Sequence, residues 1–268
     1  MTTSPKVVLV SIDGMRPDGL QQAKTPTIDR LIEQGYATMT ARTVMPCITF
    51  PCHNSMFRSV PPARHGITSN VWTPMARPVP SLMERLAARD KACAMFYNWE
   101  VLRDLAKPET LKASFYVADD YGSQGSADRE VAQYAASWLN THQWDFAFVY
   151  LGYTDLAGHD SGWMSPAYLA AIQNADQCLG HVLASVPDDC WVMVVSDHGG
   201  EGQNHGEDIP THMTIPLVIA PNRGVLPEGA VWHGESDAQI IDVAPTLLRL
   251  FDIQPPYEWV GKPLVTFD

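Results

Sequence analysis

The strongest constraint on the fold is an alternation between short, fully apolar runs and longer stretches with the period of a helix. The apolar runs include VVLV, ACAMFY, FAFVYLG, WVMVV and IPLVIAP. The stretches between them include TPTIDRLIEQG, DREVAQYAASWLN, AYLAAIQNADQCLGHVLASV and DAQIIDVAPTLLRLF. Strands covered by helices on both faces are apolar throughout, whereas half-exposed strands alternate. The pattern therefore predicts an α/β fold with one open, mainly parallel central sheet and helices on both faces.

The chain of 268 residues, 46% of them hydrophobic, is long enough for one large domain with a substantial core. It contains no internal repeat, charge block or low-complexity tract, so we predict a single domain over residues 1–268. The proline-rich stretch at residues 74–80 indicates a loop rather than a linker. Residues 107–128 have weak periodicity, and we expect there either a small insertion or a mobile loop near the functional site.

The net charge of −12 limits the class of partner. Proteins that follow a nucleic-acid backbone neutralise phosphates with clustered Lys and Arg, so a nucleic-acid polymer is not an expected partner. A small-molecule phosphate ester remains compatible with an acidic chain, because bound divalent cations dominate the field of a local site. Some of the acidic residues are then expected to be metal ligands.

The N-terminal apolar run, Val7 to Val10, is too short for the hydrophobic region of a signal peptide or for a membrane span. The five cysteines are odd in number and form no C-x-x-C pair, so neither a disulfide framework nor a zinc finger is indicated. We therefore expect a cytoplasmic chain with reduced thiols and no membrane partner.

Polar residues close three of the predicted buried strands. Asp13 follows VVLVSI, Asp155 follows FAFVYLGYT, and Asp197 and His198 follow WVMVVS. Ligands of such sheets bind beyond the carboxyl ends of the strands, so three carboxylates are expected at one edge. A single Asp at a strand end is usually a helix cap or a loop hydrogen bond. Its recurrence at three strands favours a shared site.

Carboxylates and imidazoles recur here at spacings that suit metal ligands. Asp155 and His159 form a D-x-x-G-H motif and supply two ligands for one ion, while Asp13, Asp197 and His198 supply three for another. Carboxylate oxygen and neutral imidazole nitrogen suit zinc or manganese, and about three protein ligands per zinc leave one position open for catalysis. We predict two divalent metal ions, Zn²⁺ first and Mn²⁺ as the alternative.

The segment PCITFPCHNSMF places Thr49 just before Pro51, a residue typical of a first helical turn. Thr49 is then either an ordinary N-cap or a nucleophile at a helix N-terminus, where free N–H groups favour an anion. A Thr hydroxyl needs activation, which a metal ion bonded to its oxygen supplies, so Thr49 is also a predicted metal ligand. His53 is close enough in sequence to orient it. The histidines without a ligand-like neighbour are expected at the surface or satisfied in the core: His65, His181 and His233.

Together these segments resemble the alkaline phosphatase superfamily, and most of all its nucleotide pyrophosphatase/phosphodiesterase branch, over nearly the whole chain. VSIDGMRPD resembles the segment of the first metal-binding aspartate, TPTIDRLIEQG the helix after it, TFPCH the nucleophile segment, and DLAGH and SDHG the remaining metal-binding segments. HGITSN extends the match. Asn70 falls where this branch has an asparagine that binds a phosphoryl oxygen together with the backbone amide at the nucleophile. The resemblance implies a two-metal hydrolase of phosphate esters with Thr49 and Asn70 as catalytic residues.

The third ligand beside Asp155 and His159 is either His205 or His212, because both lie between SDHG and the strand IPLVIA. His205 is followed by Gly, which resembles the H-G motif of the phosphodiesterase branch. His212 runs almost directly into the strand and resembles the corresponding histidine of alkaline phosphatases proper. We favour His205 and keep His212 as the alternative.

Other branches of the superfamily fit less well. The C-x-P-x-R motif of the sulfatases is absent, so their formylglycine nucleophile cannot form. The nucleophile is Thr rather than the Ser of alkaline phosphatases and cofactor-independent phosphoglycerate mutases, and no second domain of the mutase kind is inserted. The chain is also shorter than typical extracellular phosphodiesterases, so their nucleotide-binding insertions are expected to be missing.

The resemblance implies in-line attack of Thr49 on phosphorus, a phosphothreonine intermediate and its hydrolysis. We expect a phosphodiesterase or nucleotide pyrophosphatase, because no arginine is placed by motif to bind the dianion of a monoester. Trp72 is either a stacking surface for the substrate or an ordinary aromatic at the rim. The alternatives are a phosphomonoesterase or phosphonate hydrolase with the same site, a phosphotransferring mutase, and a metal-binding protein without catalysis.

Overall fold

The computed structural model describes residues 4–118 and 124–267. Its centre is a seven-stranded sheet with the strand order β2-β7-β6-β1-β5-β3-β4. In chain order these strands are β1 Val7–Ile12, β2 Tyr36–Arg42, β3 Cys93–Tyr97, β4 Ala113–Tyr116, β5 Phe146–Leu151, β6 Trp191–Val195 and β7 Thr214–Pro221. Only β7 runs against the others, pairing antiparallel with both β2 and β6. The predicted fold class is confirmed, while the extent of the single domain stays a prediction.

The central strands are apolar because both of their faces are covered. Every residue of β1, β3, β5 and β6 is buried. Successive side chains of a strand point to opposite faces. Accordingly Val7 and Leu9 belong to one hydrophobic core, and Val8 and Val10 belong to the other. The continuous apolar runs thus supply two cores at once, one on each side of the sheet.

Helices cover both faces of the sheet. The α-helices are α1 Pro17–Gln22, α2 Pro26–Gln34, α3 Thr49–Arg58, α4 Pro62–His65, α5 Leu82–Ala87, α6 Ser126–Thr141, α7 Tyr153–Ser161, α8 Pro166–Leu183, α9 Pro210–Met213 and α10 Val243–Leu250. Helices α3, α5 and α10 contribute to the core with Val7, whereas α2, α6 and α8 contribute to the core with Val8. In the part of the chain that the structure describes, no helix is both long and apolar enough to cross a membrane.

Shorter elements complete the fold. Two 3-10 helices span Glu100–Leu105 and Ile240–Asp242. The strands β8 Ala230–Trp232 and β9 Val265–Phe267 form a separate antiparallel pair. Residues 74–80 contain no helix or strand, in agreement with the predicted loop.

The sequence did not predict the two edge strands. In β2 buried, partly buried and exposed residues are mixed, and in β4 partly buried and exposed residues alternate, so neither strand is a continuous buried apolar run. The expected insertion or mobile loop at residues 107–128 is therefore wrong for Ala113–Tyr116, which forms the outermost strand of the sheet. The part of that segment at residues 119–123 lies outside the described residues.

Candidate metal centre

The carboxylates named from the sequence lie together at one edge of the sheet. Asp13 directly follows β1, and Asp197 and His198 follow β6. Asp155 differs slightly from expectation, because it lies in the first turn of α7 rather than at the end of β5. Since β6, β1 and β5 are neighbours in the sheet, their carboxyl ends bring these side chains into one site.

One group of candidate ligands consists of Asp13, Asp197 and His198, whose ligand atoms all lie within 4.8 Å of one another. His198 Nε2 is 3.3 Å from Asp13 Oδ1 and 3.4 Å from Asp197 Oδ2. The Oγ1 of Thr49 is 3.3 Å from the same nitrogen. All four residues are buried. The predicted nucleophile therefore lies against the ligand group that the sequence assigned to it.

A second group, within the same limit of 4.8 Å, consists of Asp155, His205 and again His198. His205 Nε2 is 3.8 Å from Asp155 Oδ1, and the rings of His198 and His205 stack with centroids 3.8 Å apart. His159 Nε2 is 3.5 Å from Asp155 Oδ2, on the more exposed side of the group. His198 thus lies between the two groups, and His159 lies at the outside of the second.

The three imidazoles share one orientation. In each, Nδ1 contacts a backbone carbonyl oxygen, which leaves Nε2 directed at the carboxylates. The contacts join His159 to Gln203 (2.8 Å), His198 to Gly199 (2.9 Å) and His205 to Cys47 (2.9 Å). Such a bond from the far nitrogen fixes the tautomer and the ring plane of a metal-binding histidine.

The geometry separates the two candidates for the remaining ligand. His205 lines the cleft and contacts Asp155, as described above. His212 is buried on α9, where its Nδ1 accepts a hydrogen bond from the Glu207 N–H at 3.1 Å. Its Nε2 has no hydrogen-bond partner among the described residues, and it is absent from the lining of the cleft. The arrangement favours His205 as the remaining ligand beside Asp155 and His159, whereas His212 is buried outside the lining of the cleft.

Each of the three carboxylates has one buried oxygen without a hydrogen-bond partner among the described residues. Asp13 Oδ1, Asp155 Oδ1 and Asp197 Oδ2 are buried and accept no hydrogen bond within the described ranges. Such orphaned oxygens are costly, and a cation satisfies them. Burial raises the pKa of Asp155 to about 7 and that of Asp197 to about 6. Burial, reinforced by the charges of Asp197 and Asp155, raises the pKa of Asp13 well above its usual range. The residues present therefore fit divalent metal ions.

The pKa values of two imidazoles, those of His198 and His205, shift downward. Burial lowers the pKa of His205 to about 4. Burial, followed by the neighbouring His205, lowers the pKa of His198 well below its ordinary value. Both rings are therefore neutral near pH 7, which is the form that binds a metal ion.

Thr49 is the first residue of α3, and Ile48 is the N-cap. The ordinary N-cap alternative is therefore wrong, because the Thr49 hydroxyl faces His198 instead of capping the helix. The Phe50 N–H donates to Asn70 Oδ1 at 3.0 Å. This bond fixes the amide of Asn70 so that its Nδ2 remains available, and both Thr49 and Asn70 line the cleft.

His53 contacts the backbone of the nucleophile rather than its hydroxyl. Its Nδ1 lies 2.7 Å from the Thr49 carbonyl oxygen, and its Nε2 lies 2.9 Å from Ser11 Oγ. Asp197 Oδ2 is 3.6 Å from the same Nδ1. His53 thus connects the first residue of α3 to Ser11 in β1 and positions the start of the helix. Of the other histidines, His65 is buried, and His181 and His233 are exposed.

Two residues of the centre were not identified from the sequence. Tyr150 donates a hydrogen bond from its hydroxyl to Asp13 Oδ2, yet it stands within the apolar run of β5, where it resembles any core aromatic. Gly14 has a φ of +66°, and a Cβ there would lie 3.1 Å from Asp155 Oδ1. The pair Asp13-Gly14, directly after β1, is a sequence signal for a tight turn. For Tyr150 the sequence carried no signal.

A cleft of about 530 Å³ opens above these groups. Beyond the candidate ligands its walls include Asn98, Trp99, Glu100, Val101, Tyr116, Leu156 and Asp160. No Lys or Arg of the described chain is among the lining residues. Trp72, 46% exposed, is not among them either, so it is a rim aromatic in this structure.

The seven-stranded sheet and the helices around it form the fold of the alkaline phosphatase superfamily. Within it, the family model for type I phosphodiesterase / nucleotide pyrophosphatase matches residues 7–214. The chain belongs to this family.

Individual relatives agree with that assignment. The chain is 27% identical over 224 residues to ectonucleotide pyrophosphatase/phosphodiesterase family member 1 of Rattus norvegicus, covering 74% of this chain and 24% of the relative. It is 30% identical over 131 residues to a 2,3-bisphosphoglycerate-independent phosphoglycerate mutase of Staphylococcus aureus, covering 47% of this chain and 24% of the mutase. The chain thus spans about a quarter of the length of these curated relatives.

A solved structure shows the same fold. Inactive murine ectonucleotide pyrophosphatase/phosphodiesterase 5, in complex with AMP, superimposes with a TM-score of 0.74 at 15% identity. The match covers 96% of this chain and 97% of that one.

Proposed function

We propose that this chain is a two-metal-ion phosphodiesterase of the nucleotide pyrophosphatase type that acts through a phosphothreonine at Thr49. One observation carries the proposal. The Thr49 hydroxyl, at the N-terminus of α3, lies 3.3 Å from Nε2 of His198, the residue shared by the two groups of carboxylate and imidazole ligands. A hydroxyl in this position has both the activation and the anion-binding surroundings that nucleophilic attack on phosphorus requires.

The candidate ligands divide between two ions. The proposed ligands are Asp13, Asp197, His198 and the Thr49 hydroxyl for one ion, and Asp155, His159 and His205 for the other. Divalent ions bound there lower the pKa of the hydroxyl and neutralise charge on the departing oxygen. We propose Zn²⁺, with Mn²⁺ as the alternative, because the ligands are imidazole nitrogen and carboxylate oxygen.

The residues of this chain supply the remaining steps. Thr49 Oγ1 forms a bond to phosphorus while the bond from phosphorus to the first alcohol breaks, and that alcohol leaves with a proton. Water then cleaves the phosphothreonine, which releases a phosphomonoester and restores the hydroxyl. Asn70 Nδ2, oriented by the bond from the Phe50 N–H to Asn70 Oδ1, and the backbone N–H of Thr49 at the start of α3 stabilise a non-bridging oxygen.

The composition of the cleft supports diesters over monoesters as substrates. A diester carries one negative charge and a monoester nearly two. The described lining contains no cationic side chain, and it contains Glu100 and Asp160 beyond the ligand groups. Trp99 and Tyr116 offer aromatic surface to an alcohol group such as a nucleoside. The AMP complex of the murine relative is consistent with a small-molecule ester of this kind.

The test compares hydrolysis of bis-p-nitrophenyl phosphate and p-nitrophenyl phosphate by zinc-loaded wild-type protein and Thr49→Ala. We expect higher kcat/KM for the diester and a loss of roughly three orders of magnitude or more in the variant. Thr141→Ala, at an exposed threonine at the end of α6, is the control and should retain activity. In an acid-quenched reaction with the diester, the peptide that contains Thr49 should carry a p-nitrophenyl phosphoryl group.

Other results select other functions. A preference for the monoester would make the protein a phosphatase, and cleavage of a phosphonate alone would make it a phosphonate hydrolase. Conversion between phosphate isomers without release of phosphate would make it a mutase. Full activity in Thr49→Ala would exclude Thr49 as the nucleophile.

We also propose that the protein works in a reducing, cytoplasmic setting. All five cysteines are buried and unpaired in the structure, which supports this view. Titration of protein that was purified without reductant and then denatured should therefore find five free thiols.

A further inference from the structure

A buried carboxylate outside the metal centre joins four elements at the start of α7. Asp128, in the first turn of α6, is 0% exposed. It accepts hydrogen bonds from Asn98 Nδ2 at 2.7 Å, from the Tyr153 N–H at 3.3 Å and from Asn174 Nδ2 at 3.4 Å. Burial of a carboxylate is costly unless such donors surround it. The donors come from the end of β3, from α7 and from α8.

The first turn of α7 depends on these contacts. Its N-cap is Gly152, which has no side chain with which to cap the helix. The Gly152 N–H donates to Asn98 Oδ1 at 3.2 Å, and the next N–H, of Tyr153, donates to Asp128. Two N–H groups at this helix start are therefore satisfied by residues from other elements. A negative charge at this end of the helix is also favourable for the helix dipole.

The surroundings leave little room for α7 to shift. Gly125, which precedes α6, has a φ of +76°, and a Cβ there would lie 2.7 Å from Asn174 Nδ2 and 2.8 Å from Tyr153 Cδ1. A Cβ at Gly152 would lie 3.1 Å from Asn98 Oδ1. The chain entering α6 is thus in close contact with the first residue of α7 and with α8.

We propose that Asp128 is a positioning residue for the metal centre. Through Asn98 and the first turn of α7, it fixes Asp155 and His159, the two candidate ligands that α7 carries. Loss of its charge lets this turn move and weakens the ion held by those ligands. The ion held by Asp13, Asp197 and His198 depends on β1 and β6 and is affected less. This inference rests on the proposed two-metal function.

A second buried carboxylate serves as a matched control, because it also accepts hydrogen bonds from the first turn of a helix. Asp176 on α8 is 1% exposed. It accepts hydrogen bonds from the Thr27 N–H at 3.2 Å and the Ile28 N–H at 2.8 Å, in the first turn of α2. Helix α2 carries none of the candidate ligands. Asp128→Asn and Asp176→Asn therefore remove the same kind of contact at helices with and without ligands.

The experiment measures zinc affinity by competition with a chromophoric chelator, and the Tm of the metal-free proteins. Both variants should lower the Tm. Only Asp128→Asn should weaken the binding of one of two zinc ions. We expect about 10-fold, the lower end of the effect of removing a ligand's direct partner, because Asp128 acts through the turn that carries the ligands. Diester hydrolysis by Asp128→Asn should return toward the wild-type rate as zinc is raised.

Two results would overturn the proposal: wild-type affinity for both ions in Asp128→Asn, or an equal loss of affinity in Asp176→Asn. If Asp128→Asn does not fold, Asn98→Ala, which removes the bond to Gly152, is measured in the same way. Wild-type protein that binds two ions but cleaves no ester would refute the proposed function and leave the positioning role standing. Wild-type protein that binds fewer than two would refute both.

Discussion

Single hydrogen bonds at the metal centre decide which atom of each side chain faces the ligand position. Tyr150 donates to Asp13 Oδ2, while Asp13 Oδ1 faces His198. We predict that Tyr150→Phe lowers zinc affinity and the kcat/KM of diester hydrolysis by about 10-fold or more, because a partner of a ligand is lost. The control is Tyr97→Phe, whose buried hydroxyl contacts Ser114 instead. Equal effects of the two substitutions would mean that Tyr150 contributes packing alone.

The choice between two histidines gives a second prediction. We expect His205→Ala to lose about one of two bound zinc ions, because its Nε2 lies beside Asp155 and its Nδ1 is held by Cys47. We expect His212→Ala to keep both ions, with a lower Tm because a buried contact to Glu207 is removed. Metal content after gel filtration, measured by mass spectrometry, separates the two. Loss of an ion in His212→Ala alone would reverse the assignment.

At the residue scale, the sequence predicted the groups that carry chemistry better than those that hold them. Asp155 and His159 stand out by their spacing, and Asp197 with His198 by their place after an apolar run. Contacts such as that between His53 and the Thr49 carbonyl involve the backbone, whose position no residue type specifies. Tyr150 was missed for a related reason, since a tyrosine in a buried strand is ordinarily a core residue.

The elements around Thr49 are held by a buried histidine that gives a third prediction. His65 on α4 accepts a hydrogen bond at Nδ1 from the Ile67 N–H, and its Nε2 contacts Ser55 Oγ on α3. Burial, together with the positive charge of Arg58, lowers the pKa of His65 from 6.5 to about 4. The unfolded chain therefore takes up this proton first as pH falls, and stability present above pH 6.5 is lost between pH 6.5 and about 4.

The expected size of this effect is roughly 2 kcal/mol of unfolding free energy between pH 7 and pH 5. Urea unfolding at the two pH values measures it. His65→Gln should reduce the difference by that amount, whereas His181→Gln, at an exposed site on α8, should leave it unchanged. An unaltered difference in His65→Gln would show that other groups cause the acid sensitivity.

At the scale of elements, the buried strands were predictable and the edge strands were not. A strand inside the sheet is apolar on both faces, and β1, β5 and β6 have that property throughout. Edge strands lack this signal, and β4 has only four residues with alternating exposure. The reversed direction of β7 also escapes a reading of periodicity, because an apolar run looks the same in either direction.

The stability of the whole molecule depends on the charges of the carboxylates in the candidate metal centre. The pKa values of Asp155 and Asp197 are raised by burial, to about 7 and about 6. In metal-free protein the stability associated with their protonated forms is present at low pH and is lost as pH rises through those values. Bound cations offset the loss. The stabilisation by zinc should therefore be larger at pH 8 than at pH 5.

The fourth prediction concerns the stability of the Asp155→Asn variant with and without metal. In metal-free protein at pH 8, the variant should be more stable than wild type, by on the order of 2–4 kcal/mol, because a buried charge is removed. At pH 5 the excess should be smaller, because that pH lies between the ordinary pKa of 3.8 and the raised pKa of about 7. With zinc at pH 8 the order should reverse, because the variant lacks a ligand. Thermal unfolding with a chelator and with zinc tests all three comparisons, and a metal-free variant less stable than wild type at pH 8 would contradict the argument.

The outer wall of the cleft and the candidate metal ligands come from different parts of the sheet. Trp99 and Glu100 follow β3 and Tyr116 ends β4, whereas Asp13 and Asp197 follow strands at the centre. In evolutionary terms, substitutions at the ends of the peripheral strands β3 and β4 leave the candidate ligands intact, whereas substitutions at the ends of the central strands remove them. For the proposed phosphodiesterase, descendants of one ancestral chain can therefore change the alcohol group that they recognise through two peripheral strand ends and inherit the candidate metal ligands unchanged.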